Sequence, residues 1–178
     1  MIRRLAIHKL REWRYSEDRK PLIIRGVRQV GKTTLVKEFA KEFDVFLHLN
    51  LERSKDSELF ETTDDVAQLL QSIYFHKKQE KKDGSVLLFI DEIQNSKKAV
   101  AMLRYFYEEA PEVHVIVAGS LLETVMDVRK ISFPVGRVEF MSLRPCSFLE
   151  FLGGLGEDFD KELVENFNVE SVVHDRVM

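Results

Sequence analysis

Two glycines, a lysine and a pair of hydroxyls stand at fixed spacing in GVRQVGKTT, residues 26–34, between the apolar run PLII and the helical-period run LVKEF. The stretch fits G-x-x-x-x-G-K-[ST], the loop that cradles phosphates. Gly26 and Gly31 open backbone conformations closed to other residues, so successive N–H groups through Val27, Arg28, Gln29 and Val30 can turn into one concavity. A helix starting near Lys32 adds the positive end of its dipole. In this arrangement Lys32 reaches the β- and γ-phosphates of a nucleoside triphosphate, the Thr33 hydroxyl ligates Mg²⁺, and Thr34 adds a contact to the α-phosphate.

A phosphate loop alone implies binding and no reaction. The partner it needs is VLLFIDE, residues 86–92, an apolar strand ending in two acids. Asp91 is placed to complete the Mg²⁺ shell opposite Thr33, and Glu92, one residue beyond, to take a proton from an attacking water. The plainer reading of Glu92 is a surface carboxylate opening the next loop. A third run, VHVIVAGS, ends in Ser120, which would orient the water if this strand lies between the first and third; it could equally cap the helix SLLETVMD. Arg137 in SFPVGRVEF is a candidate finger or sensor for the charge that develops in phosphoryl transfer, against the plainer reading of a solvated strand start. Arg28, inside the loop, is a weaker basic candidate.

Elements that could position these residues alternate along the chain. Short β-rich runs occur at PLIIRG (21–26), VFLHLN (45–50), SVLLFID (85–91), VHVIVAG (113–119) and RVEFMSL (137–143). Apolar stripes at helical spacing separate them: Leu35, Phe39 and Phe43; Val66, Leu69, Leu70 and Ile73 behind Asp64 and Asp65; Val100, Leu103 and Tyr107. The pattern predicts an α/β domain with a mainly parallel sheet. VLLFI and VIVA are apolar without alternation, as interior strands covered on both faces should be. After LGGLG (152–156) the chain reads as helical to Met178 with no helix-ending signal, which suggests a further segment.

Composition bounds the partners. The 178 residues suffice for one well-buried domain, and 44% apolar with 32% charged residues is an ordinary globular balance. A net charge of −3 carries no overall signature of nucleic-acid binding, yet residues 1–40 hold eleven Lys/Arg against four Asp/Glu. MIRRLAIHKLREWR could touch an anionic partner such as nucleic acid, or form an amphipathic surface helix with Ile2, Leu5, Ile7, Leu10 and Trp13 toward one side. The single cysteine, Cys146, allows no internal disulfide, and the five histidines lack metal-ligand spacing. With no apolar run near the roughly 20 residues that span a bilayer, a soluble, cytoplasmic protein is the expectation.

The blocks RKPLIIRGVRQVGKTTL, LLFIDEIQ, VIVAGSLLE and PVGRVEFMSLRPCSFLEFL, in that order, resemble the AAA-type ATP-binding module of a prokaryotic group described as predicted AAA-plus ATPases. The resemblance implies a P-loop three-layer sandwich with a five-stranded sheet in the order 5-1-4-3-2, spanning residues 1–152. Residues 153–178 would open a linker or C-terminal domain. It also implies ATP and Mg²⁺ as ligands, nucleotide binding by residues 26–34, Mg²⁺ held by Thr33 and Asp91, and catalytic roles for Lys32, Glu92, Ser120 and Arg137. The leading reading is an ATPase that drives a conformational change. The alternatives are a nucleotide-binding switch, DNA-associated or regulatory, with negligible turnover, and a small-molecule kinase. No NKxD segment is present, so adenine is preferred by elimination. A finger role for Arg137 in trans would require a homo-oligomer.

Overall fold

The structure is a computed structural model and describes residues 4–81, 83–120 and 132–155. Five strands form one sheet: β1 (Leu22–Arg25), β2 (Val45–Asn50), β3 (Val86–Asp91), β4 (Val113–Ala118) and β5 (Glu139–Ser142). Their order is β2-β3-β4-β1-β5, and every neighbouring pair is parallel. This is the expected 5-1-4-3-2 order. Among the described residues six α-helices accompany them: α1 (Ala6–Arg14), α2 (Lys32–Phe39), α3 (Ser54–Ser57), α4 (Val66–His76), α5 (Lys97–Glu109) and α6 (Phe148–Leu155).

Alternate side chains of each strand point to opposite faces, and here both faces are buried. Ile23, Leu88, Ile90, Val115 and Val117 pack with α4 and α5 through Leu69, Ile73, Val100, Leu103 and Phe106. Their neighbours Leu22, Ile24, Leu87, Phe89, Ile116 and Ala118 pack with α1 and α2 through Leu10, Trp13, Leu35, Val36 and Phe39. The result is helices, sheet, helices. Each fully buried Leu, Ile or Phe stabilises this core by roughly 1.5–3 kcal/mol. β2 lies at an edge, and its alternate residues Phe46, His48 and Asn50 are only partly covered.

Two apolar stripes differ in detail from their helical spacing. The helix expected to carry Phe43 ends at Phe39, and a 3₁₀ turn, Ala40–Glu42, leads into an extended Phe43. Phe43 still joins the core, edge-on to Phe39 at 5.2 Å between ring centroids. In α5 the deep residue is Phe106, whereas Tyr107 turns toward the edge of the sheet and donates its hydroxyl hydrogen to Asp18. At the N-terminus Leu10 and Trp13 anchor α1 to the core as the amphipathic pattern predicts, while Leu5 is half exposed and Ile2 lies outside the described residues.

The sheet direction fixes where chemistry can occur. Loops after β1, β3 and β4 all leave from its C-terminal edge, where parallel α/β sheets bind ligands. α6 runs through Gly153 and Gly154, across the boundary expected after residue 152. Residues 156–178, and most of the helix expected after Ser120, lie outside the described residues.

Candidate phosphate-binding site

The loop between β1 and α2 takes the backbone path that its glycines allow. Gly26 has φ +155°, and a Cβ built there would lie 2.5 Å from the carbonyl oxygen of Leu143, so any side chain would collide with the backbone just after β5. Gly31 has φ +96° and is the residue from which α2 starts. Gln29, though not a glycine, also sits in the left-handed region at φ +63°. Val27, Arg28 and Gln29 form the exposed rim, with Val30 partly covered.

The start of α2 differs from the starts of α4 and α5. There Asp65 and Ser96 accept from the amides of Gln68 and Ala99, whereas Gly31 offers α2 no side-chain cap. The first-turn amides of α2 thus keep their donors for an anion. Lys32 is buried and bends back over the loop, donating to the carbonyl oxygens of Gly26 at 2.7 Å and Val27 at 3.0 Å. Burial lowers its pKa, and the nearby charges of Glu92 and Asp91 act against that shift. Thr34 is exposed on the first turn.

Asp91, the last residue of β3, is buried and meets α2 directly: the Thr33 hydroxyl donates to its Oδ2 at 2.7 Å. Burial raises the Asp91 pKa, partly offset by the Thr33 hydroxyl. The two oxygens suit Mg²⁺, a hard cation that needs one or two protein oxygens and completes its shell with phosphate and water.

Glu92 follows in the left-handed region at φ +55°, a conformation that costs a non-glycine residue of order 1–3 kcal/mol and that turns its side chain out of the strand's alternation. The backbone N–H of Glu92 donates to Asp91 Oδ1 at 3.1 Å, and its Oε2 accepts from Gln94 Nε2 at 2.5 Å. Ser120, just past β4, reaches the same Oε2 at 3.5 Å.

Lys32, Thr33, Asp91, Glu92 and Ser120 therefore converge on one edge of the sheet. Arg137 does not join them. It precedes Glu139, which is in register with Leu22 at the start of β1, whereas the loop follows Arg25 at that strand's end. From the opposite edge Arg137 donates to Glu108 at 2.8 Å and lies over the Tyr107 ring.

Sequence reading missed three neighbours. Gln94 stands in the same DEIQ block as the acids, so its proximity was legible and its contact was not. His48, stacked between Phe46 and Phe89, brings Nε2 to 4.0 Å from Asp91 Oδ2, and burial pushes its pKa down to about 4, which leaves it neutral near pH 7. Arg4 donates to the carbonyl of Val30 at 2.9 Å, with no local signal to mark it.

A family model described as an AAA domain matches residues 18–152. The chain belongs to the AAA-domain family. Among solved structures it is similar to the Walker-type ATPase PABY2304 of Pyrococcus abyssi, at 19% identity and a TM-score of 0.55 over 93% of this chain. This AAA chain spans 63% of the length of that ATPase, and the likeness establishes the P-loop fold. No curated protein matches it significantly. No helix among the described residues is long and apolar enough to cross a membrane.

Proposed function

We propose that this AAA-domain protein binds ATP with Mg²⁺ and hydrolyses it to drive a conformational change. The observation that carries the reading is the Thr33–Asp91 contact of 2.7 Å beside a buried Lys32, because it joins the phosphate loop to the acid pair across two strands of the sheet. On binding, Lys32 exchanges the carbonyls of Gly26 and Val27 for oxygens of the β- and γ-phosphates. The amides of residues 26–34 surround the phosphate chain, as uncapped helix starts do. Thr33 and Asp91 would hold Mg²⁺, which when bound neutralises charge on the phosphates.

Glu92 acts as the general base. Its carboxylate takes a proton from water as that water attacks the γ-phosphorus, and the bond to the β–γ bridging oxygen breaks to give ADP and phosphate. Ser120 orients the water from the end of β4, and Gln94 shares the carboxylate that accepts the proton. Arg137 would serve such a site only in a neighbouring copy, which requires a homo-oligomer. The reading of the N-terminal segment as a surface helix is supported by its internal bonds: Arg11 and Arg14 meet Glu42, and Arg19 meets the carbonyls of Arg14 and Pro111. A lone exposed cysteine fits a reducing, cytoplasmic setting.

Steady-state phosphate release tests the proposal. Glu92→Gln should slow release about 100-fold or more while still binding nucleotide, as loss of a general base does. Equal, background-level rates in both proteins would leave a binding switch. Phosphate release without any acceptor excludes the kinase alternative, and competition between ATP and GTP decides the base.

A further inference from the structure

Arg4 and Glu150 are 146 residues apart and form an ion pair at 3.2 Å whose side chains are only 15% and 6% exposed. Each group has further work. Glu150 closes the start of α6 as a capping box with Ser147: its Oε2 accepts from the Ser147 amide at 2.8 Å, and the Ser147 hydroxyl accepts from the Glu150 amide at 3.2 Å. Its other oxygen, Oε1, accepts from Arg4 and, at 2.7 Å, from the amide of Leu5. Burial pushes the Glu150 carboxyl up, but the amides of Ser147 and Leu5 and the guanidinium outweigh it and hold its pKa below the usual carboxylate value.

Arg4 uses each of its three nitrogens on a different segment. Nε binds Glu150, Nη2 binds the carbonyl of Arg144 at 2.6 Å, and Nη1 binds the carbonyl of Val30 at 2.9 Å. Val30 is the residue before Gly31, and the peptide that joins them is trans, with carbonyl and N–H pointing in opposite directions. A guanidinium that holds this carbonyl therefore turns the Gly31 N–H away from Arg4. A cation on the carbonyl also polarises the peptide and strengthens that N–H as a donor.

We propose that Arg4 is a positioning residue for the phosphate loop, locking the Val30–Gly31 peptide against the α6 capping box so that grip on a nucleotide and docking of residues 144–155 strengthen together. The proposal rests on the phosphate-site reading above. The two ends of this linkage are reciprocal, because whatever tightens nucleotide binding through segment 144–155 must also tighten that segment when nucleotide binds. Cys146, the only cysteine of the chain, is exposed within the segment, so its thiol can report the segment's state.

Two measurements on the full chain test this. The first is the affinity for the Mg²⁺ complex of adenylyl imidodiphosphate. Arg4→Lys keeps the charge but cannot present three donors in a planar fork, and should weaken binding about 10-fold, within the usual range of coupling between sites. Glu150→Gln should weaken it less. The second is the rate at which Cys146 reacts with a disulfide reagent. Nucleotide should change that rate at least about twofold in the wild type, and Arg4→Lys should abolish the change; a role confined to anchoring α1 would leave both affinity and thiol response as in the wild type.

Wild-type affinity in Arg4→Lys, or a wild-type thiol rate indifferent to bound nucleotide, would overturn the proposal while the phosphate site stands. No binding by the wild type would overturn both. The thiol measurement on the wild type needs no variant, so a failure of Arg4→Lys to fold does not protect the idea.

Discussion

The two ends of the parallel sheet carry similar residue types in opposite circumstances. At the N-terminal edge two clusters of charge are solvated: Asp18 meets Lys20 and Tyr107, and Arg137 meets Glu108, with side chains from 25% to 69% exposed for Lys20, Asp18, Arg137 and Glu108. Left-handed residues there are glycines, Gly84 and Gly136, or Lys78, which closes α4 with the paired bonds Lys78 N–H to Phe75 and Gln79 N–H to Tyr74. At the C-terminal edge Lys32 and Asp91 are buried, and Gln29 and Glu92 hold left-handed conformations with no helix to terminate. Desolvated charge and unrelieved strain oppose folding, so they mark the end that does something other than hold the fold together.

The comparison breaks first at Lys32. Lys32→Met should reduce nucleotide affinity and hydrolysis by two orders of magnitude or more, since a preorganised charge facing phosphate is removed. Its melting temperature should stay level or rise, because the substitution removes a buried ammonium whose desolvation outweighs the nearby charges of Glu92 and Asp91 and which donates to the carbonyls of Gly26 and Val27. Calorimetric titration and thermal unfolding of one sample check both. A large drop in melting temperature would make Lys32 a structural residue and erase the contrast between the ends.

Gly26→Ala probes geometry in place of charge. The added Cβ would meet a backbone oxygen, that of Leu143, a residue whose own N–H donates to the carbonyl oxygen of Arg25 at 2.7 Å. Strain at this position should cost about 1–3 kcal/mol and weaken nucleotide binding as the loop shifts. Denaturant unfolding beside a binding titration measures the two effects. An unaffected binding constant would mean that the loop's path does not set its grip.

What the sequence reveals about this molecule follows from how local the physics is. The loop and acid pair are legible because each needs only a few consecutive residues, and the strand order follows once β4 is placed between β1 and β3. Phe43 and Tyr107 show where periodicity misleads: for Phe43 a four-residue spacing continues past the end of α2 at Phe39 while the helical backbone does not, and within α5 the deep position falls to Phe106, one residue before Tyr107. Gln94 could be located but not assigned, since its amide reaches Glu92 only because that residue takes a left-handed turn. Arg4 and Glu150 were beyond reach, because nothing within either segment refers to the other.

His114 sharpens the comparison from the stability side. It lies at the N-terminal edge, packed edge-on against Trp13 and Phe43, with Nδ1 3.2 Å from the Val86 carbonyl. Burial, with repulsion from Arg19 and Arg14, lowers its pKa to about 4. The unfolded chain binds a proton near pH 6.5, so this group's contribution is complete above that pH and is lost as pH falls toward 4. His114→Gln should flatten part of the acid limb of a melting-temperature profile between pH 7 and 4, without changing nucleotide affinity. An identical acid limb would remove His114 from that account.

The smallest effect is expected at Arg137. Its bond to Glu108 lies in solvent, where ion pairs contribute little, and Tyr107 offers it a partly exposed ring. Arg137→Ala should therefore leave the melting temperature within error, and in dilute protein it should leave hydrolysis per chain unchanged, because the residue stands at the edge of the sheet opposite its own phosphate loop. Raising the protein concentration discriminates further. If wild-type turnover per chain rises with concentration and Arg137→Ala stays flat, the guanidinium acts in a neighbouring copy, and the N-terminal edge of one chain completes the C-terminal edge of the next. If both proteins stay flat, Arg137 belongs with the solvated pairs around it.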